Sequence, residues 1–213
     1  MTSNFKENLD TYNEILFTKI LNGGSLSKEV ELLRKTAKEY LLRVRMVEEA
    51  DTMLALDRAV QIMPDDQEGL QQMGLLLRDL YNRYDVVHDD LFIVAAFENF
   101  AKAELLSKRY LVHRISNPKE LARKQHRKPI HINSIRSKKY RDDVFIEHFT
   151  LGVDTLLNHN YSLAIGITES EKYALEKCRQ IRNSIHFGGP KWGYGLGKGL
   201  INGLSEFRKR FEN

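Results

Sequence analysis

The chain has 213 residues, 42% hydrophobic and 29% charged, with a formal net charge of +4, an ordinary balance for a soluble globular domain with its own core. A single cysteine, Cys178, excludes an internal disulfide framework and suits a reducing compartment. The longest apolar stretch, Leu91–Phe97, falls far short of the ~20 residues a membrane span needs, and the opening MTSNFKENLDTYNEIL has no apolar signal core, so a cytoplasmic protein without membrane contact is expected.

Helical patterns follow one another along the chain. Asn4 to Leu21 predicts a short amphipathic helix, ended by Asn22-Gly23-Gly24. Ser25 to about Met63 is a long run of helix formers with Leu32, Leu33, Ala37, Tyr40, Leu41, Val44 and Met46 on an apolar side, broken by Pro64-Asp65-Asp66. From Gln67 to about Ile115 the period stays helical, with a kink expected near Tyr84-Asp85 and a stop at Asn117-Pro118. Lys119 to Tyr140 contains Pro129 and no clean period, which predicts a loop with a short helix over 118–126. Arg141 to Leu157 predicts a helix, and so does Thr168 to Phe187, with Thr168-Glu169-Ser170-Glu171 as its cap. After Gly188-Gly189-Pro190 a glycine-rich link runs through Gly193-Tyr194-Gly195-Leu196-Gly197-Lys198-Gly199 to a last helix, Leu200 to Phe211.

No strand pattern of useful length is legible. The expected class is all-α: a four-helix up-down bundle with additional N- and C-terminal helices. Residues 1–213 are taken as one domain, with N-terminal helices in 1–63, a central region in 64–187 and a C-terminal extension in 188–213.

Charge is unevenly spread. Between Lys119 and Arg141 stand nine positives (Lys119, Arg123, Lys124, Arg127, Lys128, Arg136, Lys138, Lys139, Arg141) against Glu120 alone. Such a run fits a polyanion partner, with Lys124, Arg127, Lys128, Lys138 and Lys139 as candidate phosphate contacts that hold RNA without reading bases. The competing reading is a solvated loop, or one paired with acidic helices such as Glu48-Glu49-Asp51.

The densest chemistry lies in Cys178-Arg179-Gln180-Ile181-Arg182-Asn183-Ser184-Ile185-His186-Phe187. At roughly 100° per residue, Arg179 and His186 are ~20° apart around a helix and Arg182 and His186 ~40° apart. Asn183, three residues before His186, shares that side. One face would then present a proton-transfer group, fixed positive charge and a polar amide, the groups needed to cleave a phosphodiester without a metal. Against this stands the reading that polar side chains near a helix C-terminus only solvate it. A second segment, Phe92 to Leu106, is almost wholly apolar on one side and carries Glu98 and Lys102 at i,i+4 spacing.

Together the two segments resemble the HEPN superfamily (higher eukaryote and prokaryote nucleotide-binding domain). Its members show an apolar helix with an acidic residue and a following lysine, then a final helix with Arg, four to six residues, then His. The resemblance covers roughly Leu91 to Phe187, within the central region 64–187. Arg179 fits the family spacing to His186. Arg182 has only three intervening residues but is followed by the polar Asn183, another family habit, so both arginines stand as candidates.

The resemblance implies metal-independent RNA cleavage at a symmetric dimer interface, in a toxin or phage-defence setting with an antitoxin or defence protein as a further partner. Catalytic Arg179, Arg182, Asn183 and His186 and supporting Glu98 and Lys102 are carried over by it; no metal or other cofactor is expected. In such a site a neutral imidazole takes the proton of a 2′-hydroxyl that attacks the adjacent phosphorus. Arginine stabilises the charge growing on the phosphate oxygens. One histidine cannot readily be base and acid in the same step, and a two-fold homodimer would supply the second. The alternative expectation is a non-catalytic HEPN-like module that binds nucleotides, RNA or a protein.

Weaker signals point elsewhere. The 193–199 segment departs from a phosphate-binding loop at Trp192 and Gly199, and a flexible hinge is the better reading. His88-Asp89-Asp90 reads as an acidic helix start rather than a metal site, Cys178 as buried packing, and His113 and His148 as incidental. The Asn160-Tyr161-Ser162 sequon is an accident of sequence in a protein that is not secreted.

Overall fold

The computed structural model describes residues 22–44, 86–117, 119–136, 145–184 and 198–212, with Lys19, Gln67, Glu68, Gln71, Gln72 and Leu75. Among them the helices are α1 (Ser27–Leu41), α2 (Val86–Ser107), α3 (Lys119–Arg127), α4 (Ile132–Arg136), α5 (Val153–Leu156), α6 (His159–Ile165), α7 (Glu169–Ser184) and α8 (Lys198–Lys209). Two strands, β1 (His113–Asn117) and β2 (Phe145–Thr150), complete the set. The predominance of helix agrees with the sequence, and none of the described helices is long and apolar enough to cross a membrane. The expected N-terminal helix lies outside the described residues except at its end. There Gly23 takes φ 75° and the Gly24 N–H donates to Lys19 O at 2.9 Å, as the Asn-Gly-Gly stop predicts.

Four expectations are corrected. The helix expected over Ser25–Met63 ends at Leu41. No glycine or proline marks that end; a tight turn through Leu42 and Arg43 makes it, where Tyr40 stacks on Phe92 (centroids 6.1 Å apart) and the Arg43 guanidinium lies 5.8 Å from the same ring. The helix expected as far as Ile115 stops at Ser107, and the chain turns at Arg109, which holds φ 63° while its N–H donates to Leu106 O. In the basic segment the short helix expected over 118–126 is present as α3, and the loop expected after it contains a further helical turn, α4. The helix expected over Arg141–Leu157 is strand β2 followed by the single turn of α5.

The chain divides into two compact units, Met1–Thr36 with Glu98–Gly166, and Ala37–Phe97 with Ile167–Asn213. In the first, β1 and β2 pair antiparallel, with His113 opposite Thr150 and Ile115 opposite Ile146 and irregular register between. Ile115, Leu111 and Val112 are buried with Leu105 and Leu106 of α2, Leu121 of α3, Ile132 and Ile135 of α4 and Tyr161 and Ile165 of α6. The buried Gln125 of α3 acts in place of a third strand. Its amide oxygen accepts from the Ile115 N–H at 3.0 Å, and its amide nitrogen donates to His113 O at 2.6 Å. One side chain thereby satisfies an edge that would otherwise expose unpaired backbone.

In the second unit α7 and α8 pack against each other. The expected cap of α7 is present as a reciprocal box: the Glu171 N–H donates to Thr168 Oγ1 at 3.1 Å, and the Thr168 N–H donates to Glu171 Oε2 at 2.7 Å. Glu171 is buried, and Arg210 binds both of its carboxylate oxygens, the Nη2 contact at 2.7 Å. Gly203 lets the helices approach closely. A Cβ built there would lie 2.3 Å from Ser170 O and 2.7 Å from Ala174 Cβ. Phe207 is fully buried and meets Phe97 and Phe211 edge-on at 6.2 and 5.3 Å.

Candidate active site

On helix α7, Ala174, Leu175, Cys178 and Ile181 recur at the spacing of one helical face and are buried. Arg179, Gln180 and Asn183 fall on the remaining arc, Arg182 stands at the edge of the buried face, and all four are half-buried. The candidate polar residues therefore stand at the rim of the core, on a helix fixed at its start by the Thr168–Glu171 box and by Arg210.

The two arginines differ in surroundings. Arg179 is gripped by Glu176 one turn earlier, Nε to Oε2 at 2.9 Å and Nη2 to Oε1 at 2.5 Å, and this guanidinium holds the Glu176 carboxyl below its ordinary value. Arg182 presents Nε and Nη2 to the Asn183 amide oxygen, both at 3.4 Å. The structure thus brings Arg182 and Asn183 together and adds Glu176, an i,i+3 partner of Arg179 that the motif comparison passed over. The spacing Glu176-x-x-Arg179 was the signal for it. His186 lies outside the described residues, as do Lys138, Lys139 and most of the glycine-rich link.

Glu98 and Lys102 belong to the first unit. Their i,i+4 pair, Nζ to Oε2 at 3.6 Å, is more than the surface pair the spacing suggested, because the Lys102 side chain is only 12% exposed. Burial pushes the Lys102 ammonium below its ordinary pKa, opposed by the Glu98 charge. His113 on β1 is pushed down to about 4, first by burial and then by the Lys102 charge. It is a neutral imidazole within the core, where sequence context suggests an incidental residue.

Asp90 is a second residue the sequence undersold. It stands near the start of α2, as an acidic helix start should, yet it is 0% exposed and neither carboxylate oxygen has a hydrogen-bond partner of ordinary geometry. Desolvation raises its pKa to about 7; the buried Cys178 thiol pulls the other way, and neighbouring Asp89 adds to the rise. Burial and the Asp90 charge push the Cys178 thiol up in turn, so it stays protonated and is a packing residue, as expected. Among the described residues no group of three or more His, Cys, Asp and Glu side chains could hold a metal ion.

The basic segment forms a surface. On α3, Leu121 and Gln125 face inward, while Arg123, Lys124, Arg127 and the following Lys128 are exposed. Lys124 pairs with Glu120 at 2.7 Å, a contact between two exposed side chains that contributes little to stability. No known protein family matches the chain, and no characterised protein or solved structure matches it.

Proposed function

We propose that the chain is a metal-independent endoribonuclease of the HEPN type, a four-helix up-down bundle acting as a cytoplasmic homodimer in a toxin or phage-defence setting, with an antitoxin or defence protein as a further partner. The reading is carried by α7. Its last described turns set Arg179, Arg182 and Asn183 on one polar arc at the rim of a buried face, and His186 follows Ser184 by two positions in the sequence. Arg182, with the Asn183 amide against its guanidinium, holds the scissile phosphate. Arg179, oriented by Glu176, adds positive charge beside it. His186 removes the 2′-hydroxyl proton, and the partner subunit's His186 protonates the leaving oxygen.

The test uses the purified protein with total RNA in excess EDTA, beside His186→Ala. Cleavage should persist in the chelator, leave 2′,3′-cyclic phosphate ends and vanish in the variant, whose circular dichroism should be unchanged. Cleavage that needs magnesium, or that survives loss of His186, overturns the mechanism. Sedimentation should give a dimer at micromolar concentration.

A second reading, a non-catalytic RNA-binding module, is favoured by one observation. The Arg179 fork is already filled by the Glu176 carboxylate, an arrangement that suits a structural arginine. Binding of RNA without any cleavage would decide for it.

A further inference from the structure

The four terminal carbonyls of a helix have no partner within it and face whatever approaches its C-terminus. In α3 all four are occupied. Lys124 O accepts from the Lys128 N–H at 3.0 Å, Gln125 O from the Tyr161 hydroxyl at 2.8 Å, His126 O from Asn158 Nδ2 at 3.1 Å and Arg127 O from Asn160 Nδ2 at 2.9 Å. Three of these donors come from within four residues, the cap and first turn of α6, and Asn158 serves twice, since its Oδ1 also accepts from the Tyr161 N–H at 3.0 Å. The Asn160 side chain within the sequon is therefore a cap for the basic helix.

This arrangement has two electrostatic consequences. The partial negative charge of a helix C-terminus repels an anion, and here amide and hydroxyl donors cover it. The helix is also fixed on both sides, by Gln125 against β1 within the core and by α6 at its end. The exposed cations are thus presented in a set orientation. Arg123 with Arg127, and Lys124 with Lys128, form two parallel i,i+4 rows, each about 6 Å long. That length is close to the separation of neighbouring phosphates along one strand.

We propose that α3 is a pre-set rail for the phosphate backbone of a single RNA strand, with Arg123, Lys124, Arg127 and Lys128 contacting successive phosphates and Asn158, Asn160 and Tyr161 as positioning residues. Lys124 exchanges its exposed partner Glu120 for a phosphate. The rail deepens the RNA reading given above and rests on it for the choice of RNA. It supplies affinity and register, with no base-specific contact.

The test is fluorescence anisotropy with a fluorescein-labelled single-stranded oligouridylate about twelve nucleotides long, titrated with the full chain across a range of potassium chloride. Replacing the four cations together by Gln should weaken binding at least tenfold at low salt. It should also flatten the slope of log affinity against log salt by about two to three, at ~0.7 per phosphate contact for a single strand. Asn160→Ala and Tyr161→Phe leave every cation in place. Each should weaken binding by about fivefold through lost preorganisation, with the salt slope unchanged. Asn160 is exposed, so its variant folds normally whatever becomes of Tyr161→Phe.

An unchanged slope in the quadruple variant overturns the rail, as does a wild type that fails to bind the oligonucleotide. Wild-type affinity in Asn160→Ala overturns the positioning role. Tight, salt-dependent binding with no cleavage leaves the rail standing and removes the ribonuclease. If cleavage is present, loss of the rail should raise KM and spare kcat.

Discussion

Asp90 makes the stability of the second unit depend on pH in a direction opposite to that of most carboxylates. In the folded chain its pKa is about 7, against 3.8 for the free group, because both oxygens are desolvated and without an ordinary hydrogen-bond partner. A folded-state pKa above the unfolded one means that the native state keeps a proton the unfolded state has released. This contribution is fully present below pH 3.8, declines as pH rises and is lost once pH passes about 7. A difference of about three units at 1.36 kcal/mol each is worth on the order of 4 kcal/mol across that window. Asp90→Asn replaces the carboxyl by a neutral group of the same shape and removes the dependence.

The assay is urea denaturation of wild type and variant at a series of pH values from about 4.5 to 8. Groups common to both chains cancel in the difference. The advantage of Asp90→Asn over wild type should grow by about 1 kcal/mol or more per pH unit through the window and then level off. The amide's own unmet donors shift that curve by a constant and leave its slope alone. A difference independent of pH would refute the reasoning, because it would mean that Asp90 is solvated or partnered when ionised.

Other perturbations test packing and titration elsewhere in each unit. Gly203→Ala should destabilise the chain by about 1–3 kcal/mol despite the ~1 kcal/mol gain in helix propensity, since its Cβ would meet the Ser170 carbonyl, which cannot swing away. Gly199→Ala, whose nearest obstacle is the exposed Tyr173 ring at 3.2 Å, should be nearly neutral when both variants are compared with wild type by thermal melting. Arg210→Met leaves the buried Glu171 without its bidentate partner and should cost about 3–5 kcal/mol in denaturant titrations. His113, depressed from 6.5 to about 4, contributes stability that is full above 6.5 and lost as pH falls through about 4. His113→Gln should abolish that acid-side slope, worth on the order of 3 kcal/mol, in urea titrations at low pH.

What the sequence revealed of the fold followed locality. The α7 cap was legible because Thr168 and Glu171 are three residues apart and their hydrogen bonds lie within one turn. The Gly23 stop was legible for the same reason. The strands were not, because each gains its partners from afar: β1 pairs with β2 roughly thirty residues on, and its other edge is satisfied by a side chain, Gln125, on a short basic helix. Nothing in His113–Asn117 alternates long enough to announce a half-buried strand. The end of α1 was hidden because aromatic and cation contacts to Phe92 make the turn there.

The same rule divides the chemistry. The polar arc of α7 could be read from helical periodicity, because Arg179 and Asn183 lie off a regular apolar stripe and Arg182 stands at its edge. The environment of each group could not, since it depends on what another element brings. Cys178 meets Asp90 from a helix almost ninety positions away, and His113 meets Lys102 across a change from helix to strand. The basic stretch is the clearest case. A run of cations with no period read as a loop with one short helix, and the donors from Asn158, Asn160 and Tyr161 that close that helix's end could not be read from it. Whether a cationic segment is a tether or a binding face is decided by who satisfies its backbone, and here the answer lies more than thirty residues downstream.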